Sequence, residues 1–177
     1  MSTRMSLARV TRSRELLLAA ALMAVSAGCF AVDRWDRNQV DLEVRRDSKM
    51  VIASERLLSA LKDVETGQRG YLLTGDDAYL EPYKAAVPQL HGELDALAAL
   101  GLPLDGLPDL VNARVSTAEA GIAARRAGGL TAAVDAISAG RGKDLMDAVR
   151  GKVGSIQVAS QARIDGGAGQ ERAWSAI

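Results

Sequence analysis

The chain has 177 residues, enough for one helical domain and a short anchor. Aromatic residues make up only 3%, and the hydrophobicity comes from Ala, Leu and Val, which suits a helical bundle better than a β-sandwich. The formal net charge is zero, but residues 1–15 carry +3 and leave 18 basic against 21 acidic residues beyond them. That body lacks the clustered basic face that nucleic acid requires.

Residues 1–15 form a basic tail with Arg4, Arg9, Arg12 and Arg14. Leu16 to Val32 follows, 17 residues without a charge, and is predicted to be a transmembrane helix. The preceding arginines keep the tail in the cytoplasm and send the rest of the chain outside, so a single-pass protein of the inner membrane is expected. Trp35 falls where an indole suits the membrane boundary. Two alternatives compete with the anchor: a signal peptide cleaved after Val25-Ser26-Ala27, and a lipoprotein signal ending at Cys29. Ser26 stands where a lipobox has Leu, and Phe30-Ala31-Val32 continues the apolar run past the cysteine, which favours the anchor. Cys29 is the sole cysteine and excludes an intrachain disulfide.

Residues 33–165 are expected to be the extracytoplasmic domain. Residues 33–74 contain no proline and read as one long helix, continuous with the anchor. Leu57, Leu58, Leu61, Val64, Tyr71 and Leu72 form its apolar side, and about 40 residues would extend roughly 60 Å. Thr74-Gly75-Asp76 reads as a helix end and a new N-cap. A second helix is expected over Asp77 to Leu100, with Tyr83, Val87, Leu90, Leu94 and Leu97 as its seam and a kink at Pro88. Gly101 to Pro108 is a loop. A third helix is predicted from Asp109 with Val111, Val115, Ala118 and Ile122 on its seam, broken at Gly128-Gly129 and followed by a short helix to Ala139. After Gly140-Arg141-Gly142 a fourth helix begins near Lys143, with Met146, Val149, Val153, Ile156 and Ser160 on one face. No segment alternates like a strand. The expectation is an all-α protein: an N-terminal transmembrane helix, then an antiparallel up-down-up-down four-helix bundle. Residues 166–177 would lie at the membrane and stop short of a second transmembrane helix.

The run Leu61 to Tyr83, LKDVETGQRGYLLTGDDAYLEPY, carries a family signature. It resembles the third type of CHASE domain, a cyclase/histidine-kinase-associated sensory extracellular module. Glu65, Thr66, Gly67, Arg69, Gly70, Tyr71, Leu72, Leu73, Thr74 and Gly75 match that family's block, and Asp76, Asp77, Tyr79, Leu80 and Tyr83 match its continuation. Two later segments, Ala124 to Val134 and Gly142 to Arg150, are also similar to the family. The resemblance implies a bacterial extracytoplasmic sensor between two membrane helices. It also implies that histidine kinase or diguanylate cyclase output is delivered by a domain these residues lack.

Glu65 and Arg69, four apart with the acid first, form a favourable intrahelical pair, and Arg69 is also suited to an anionic ligand or to relaying a shift. Gly67 and Gly70 point to close helix approach, with a helix that bends during signalling as the alternative. Glu65, Gln68, Arg69, Tyr71, Thr74, Asp76, Tyr79 and Tyr83 are the candidates for ligand binding or signal coupling. His91, the only histidine, lacks metal-site company, and no catalytic constellation can be assembled, so neither enzyme activity nor a cofactor or metal is expected. The expected partners are the membrane, a second copy in a homodimer, and an unidentified small molecule or stress signal. The alternative function is a free-standing anchored or lipidated periplasmic scaffold without a ligand.

Overall fold

The computed structural model describes the backbone over residues 3–138 and 140–175, and side chains over residues 20–32, 34, 35, 39, 41–138 and 140–166. The elements are α1 (Thr3–Thr74), a 3-10 turn (Asp77–Leu80), α2 (Glu81–Ala99), α3 (Leu107–Ser138) and α4 (Arg141–Ser175). Among the described residues there is no strand. The chain divides into two compact units, residues 1–43 and 44–177.

In the first unit, residues 20–32 are helical and exposed, Cys29 included. Among the described residues, no helix is long and apolar enough to cross a membrane. The apolar run expected to do so starts at Leu16, and the side chains of residues 16–19 lie outside the described residues. The described residues therefore do not support the expected span. Trp174, Ala176 and Ile177 also fall outside the described side chains.

The second unit is the bundle. Contacts give its directions. Gly67 of α1 packs on Tyr83 of α2, while the Arg46 guanidinium donates to the carbonyl of Leu100, 2.7 Å away, so α2 runs against α1. Gln68 of α1 meets Arg114 and Leu72 meets Arg125, so the first part of α3 runs with α1. Asp47 meets Arg163 near the far end of α4, which therefore runs against α1. This is the expected up-down-up-down order.

The core follows the predicted seams. Leu57, Leu61 and Val64 meet Leu90, Leu94 and Leu97 of α2, Val111 and Ala118 of α3, and Met146, Val149 and Val153 of α4 in one buried cluster. Each buried Leu or Val contributes about 1.5–3 kcal/mol relative to exposure. Asp47 clamps the end of the bundle opposite Thr74. Its carboxylate accepts from Arg163 Nε at 2.9 and 3.0 Å and from Nη2 at 2.7 Å, and Asp47 is 4% exposed.

Three boundaries depart from expectation. Residues 77–80 wind as a 3-10 turn, with Asp76 as its cap, and the α-helix starts at Glu81, where Pro82 fits the first turn. α2 runs unbroken through Pro88. Pro88 lies on the exposed side of the helix, where water can satisfy the carbonyl one turn earlier. α3 begins at Leu107 and α4 at Arg141, each two residues ahead of its predicted start. The predicted break at Gly128-Gly129 is present: Gly129 has φ 72° and ψ −157°, a conformation almost restricted to glycine. Beyond it, α3 turns back so that Ala133 packs on Tyr71, Leu72 and Ile122.

Candidate functional site

The glycine-bearing stretch of α1 sits against the start of α2. A Cβ at Gly67 would lie 2.9 Å from both the Cβ and the backbone nitrogen of Tyr83, and 3.1 Å from the Tyr79 carbonyl. A Cβ at Gly70 would lie 2.5 Å from the Tyr79 ring. Gly67 is therefore the condition for the chain to return so tightly after Thr74, and Gly70 makes room for the Tyr79 side chain. Thr74 and Asp76 shape that return. The Thr74 hydroxyl donates to the Gly70 carbonyl (2.8 Å) and accepts from the Asp76 amide (3.1 Å), and the Asp76 carboxylate accepts from the Ala78 amide (2.9 Å). Their role is capping.

Behind this turn, α1 and α3 share a buried polar pair. Arg114 is only 3% exposed, and its Nη2 donates to Gln68 Oε1 at 3.2 Å. Its Nε and Nη1 are buried without a protein partner. Burial pushes the Arg114 guanidinium below its usual range, opposed by the charge of Glu65 and by Tyr83. Glu65 is tied instead to Arg69 on its own helix, through a long 3.5 Å contact; the Arg69 side chain is 72% exposed and that of Glu65 33%.

At the same pole, a groove of about 590 Å³ opens between α2 and α3. Leu80, Ile122, Ala123 and Ala127 give it apolar walls, and Lys84, Arg126, Glu119 and Tyr83 supply polar groups. The Tyr83 hydroxyl donates to Glu119 Oε1 at 3.2 Å. Its pKa is pushed up to about 12, chiefly by burial, then by the charge of Glu119 and the hydrogen bond to it, with Arg114 opposing. Arg126 stacks 5.5 Å from the centre of the buried Tyr71 ring and pairs with Asp77 at 3.2 Å. The nearby Arg125 Nε donates to the Leu72 carbonyl at 2.9 Å, closing the C-terminal end of α1. The groove thus combines an apolar floor, two cations and an acceptor, a lining suited to a small amphipathic molecule.

The eight candidates divide into four groups. Tyr83 lines the groove, and Tyr71 lies under Arg126 beside it. Gln68 is in the core with Arg114, and Thr74, Asp76 and Tyr79 build the turn. Arg69, the expected coupling residue, is on the surface away from the groove lining, with Glu65 as its partner. Residue-by-residue reading missed Arg114, Glu119, Arg126 and Lys84. A signal for Arg114 was present: it stands three residues after Val111 and four before Ala118, on the seam itself. Among the described residues, no group of His, Cys, Asp or Glu is arranged to hold a metal ion.

Comparison with known proteins gives one match. The family model of the CHASE3 domain matches residues 41–168. No curated protein and no solved structure matches the chain.

Proposed function

From the chain's membership of the CHASE3 domain family, a family of sensory domains of signalling receptors, we propose that it is the extracytoplasmic sensor of a bacterial transmembrane receptor. Leu16–Val32 anchors it in the inner membrane with residues 1–15 in the cytoplasm, and it works as a homodimer. The stimulus acts at the pole that holds the groove. Small displacements of α1 and α4 then carry the signal toward an output of histidine kinase or diguanylate cyclase type, borne elsewhere in the receptor. The observation that carries this reading is the near coincidence of two ranges. The matched residues, 41–168, cover almost the whole bundle unit, 44–177, which supports reading that unit as a sensor module.

Two measurements test the reading. A reporter enzyme active only outside the cytoplasm, fused after residue 165, should be active and should sediment with membranes. An inactive fusion would remove the proposed topology. Residues 1–177 joined to a histidine kinase output should give a basal activity that Tyr83→Ala and Arg126→Ala change at least severalfold. Wild-type output from both variants would remove the groove from signalling.

A further inference from the structure

We propose that Arg114 is the pivot of a two-state core, in which the Glu65 carboxylate exchanges between Arg69 on the bundle surface and Arg114 inside it. The proposal adds a coupling device to the sensor reading but does not depend on it, because the exchange is a property of the bundle alone.

The starting point is a buried cation with too few partners. Arg114 has one neutral acceptor, Gln68 Oε1 at 3.2 Å, and its Nε and Nη1 face no protein acceptor. A guanidinium is a planar fork of five donors whose natural match is a carboxylate bound through two hydrogen bonds. The acid whose charge acts on it is Glu65, which favours the protonated guanidinium. Glu65 precedes Gln68 by three residues on α1, and side chains at that spacing are neighbours about 5–6 Å apart on one helix face. Passing Arg114 from Gln68 to Glu65 therefore takes a side-chain swing and a slide of α3 along α1 of the small size seen in helix shifts.

Glu65 is also free to leave. Its contact with Arg69 is at the 3.5 Å limit, and an exposed i,i+4 pair holds a carboxylate weakly. Two terms of opposite sign set the balance. Moving Glu65 inward strips water from a carboxylate that is one-third exposed. In return it satisfies two buried donors with charge-assisted hydrogen bonds. Opposed terms of this kind allow both states to be populated. Glycine lines the space the exchange needs. The Arg114 Cζ lies 3.9 Å from where a Cβ of Gly142 would stand, and Gln68 Nε2 lies 2.9 Å from the corresponding point at Gly121. A Cβ at Gly121 would displace the end of the Gln68 side chain, and glycine there leaves it room.

The test uses the full 177-residue chain in detergent micelles, labelled with ¹⁵N-arginine. The side-chain Nε–H signal of Arg114, assigned by its loss in Arg114→Lys, is followed by relaxation dispersion. The expected result is microsecond–millisecond exchange of that signal in the wild type. Glu65→Gln should abolish the exchange while leaving the thermal midpoint within about 2 °C, since an exposed pair contributes little. Arg69→Ala should raise the inward population severalfold, seen as slower solvent exchange of the Arg114 Nε–H. A sharp Arg114 signal without dispersion, dispersion that survives Glu65→Gln, or no response to Arg69→Ala would each overturn the proposal.

Discussion

The same substitution at two glycines three residues apart should have different outcomes. In a helix interior, Ala is better than Gly by about 1 kcal/mol, so by propensity alone Gly67→Ala and Gly70→Ala should both stabilise α1. Packing separates them. The new methyl at position 67 would meet Tyr83 Cβ and backbone nitrogen at 2.9 Å and the Tyr79 carbonyl at 3.1 Å, atoms that move only if the start of α2 moves. Overpacking of that kind costs about 2–3 kcal/mol. Net of propensity, Gly67→Ala should lose about 1–2 kcal/mol, which lowers the thermal midpoint by roughly 4–8 °C for a bundle of this size. At position 70 the methyl meets the Tyr79 ring, with Cδ1 at 2.5 Å, and that side chain is 49% exposed. The ring can turn toward solvent for about 0.5–1.5 kcal/mol, which nearly cancels the propensity gain. Gly70→Ala should therefore unfold within about 2 °C of the wild type. Far-UV circular dichroism of the three proteins during thermal unfolding, repeated in urea, reads the difference. Midpoints for the two variants that agree within about 1 °C, or a gain in Gly67→Ala, would refute the claim that Gly67 is there for close approach.

Arg163→Ala strands the buried Asp47 carboxylate and should lower stability by about 2–3 kcal/mol, less than a fully buried pair because Arg163 is half exposed; adding Asp47→Asn should recover part of the loss in the same unfolding assay. Gly129→Ala forces a side chain into φ 72°, ψ −157° and should lose about 1–3 kcal/mol, so an unchanged midpoint would mean that α3 straightens instead of bending. Tyr83 ionises at about 12, raised above its unfolded value, so its contribution to stability is complete below that unfolded value and fades as pH rises toward 12. Phenolate absorbance in an alkaline titration should show that late step in the wild type and lose it in Tyr83→Phe.

Much of the fold was legible because its punctuation is local. No proline interrupts residues 33–74, and the structure carries α1 unbroken to Thr74. Gly129 bends α3 where two consecutive glycines stand, and Gly140, with φ 69°, separates α3 from α4. The seams of α2 and α4 could be read from 3,4 spacing because their apolar residues face a single core. Pro88 does not end α2, and whether a proline does so depends on which side of the helix it occupies. Its missing amide frees a carbonyl, and on an exposed face water satisfies that carbonyl without a break in the helix. The start of α2 misled for a related reason: Asp76 caps whatever follows it, and its side chain does not distinguish a 3-10 turn from an α-helix.

The site was legible as a neighbourhood and not as a set of roles. The family block directs attention to Arg69, the arginine inside the motif, but the influence of a charge depends on its surroundings. At 72% exposure, the Arg69 guanidinium is solvated and its pairing with Glu65 contributes a few tenths of a kcal/mol. At 3% exposure, Arg114 has every donor in a medium where each hydrogen bond made or lost counts severalfold more. Val111, Arg114, Ala118 and Gly121 step by three, four and three along α3, so this arginine occupies a seam position that packing alone would fill with leucine. A charge at such a position is either matched across the core or poised to be. The match offered here is a neutral glutamine, with a carboxylate one turn away on the same helix. The residue to follow in this bundle is therefore the arginine on the apolar seam, and the motif's own contribution is to supply the partners, Gln68 and Glu65, between which it chooses.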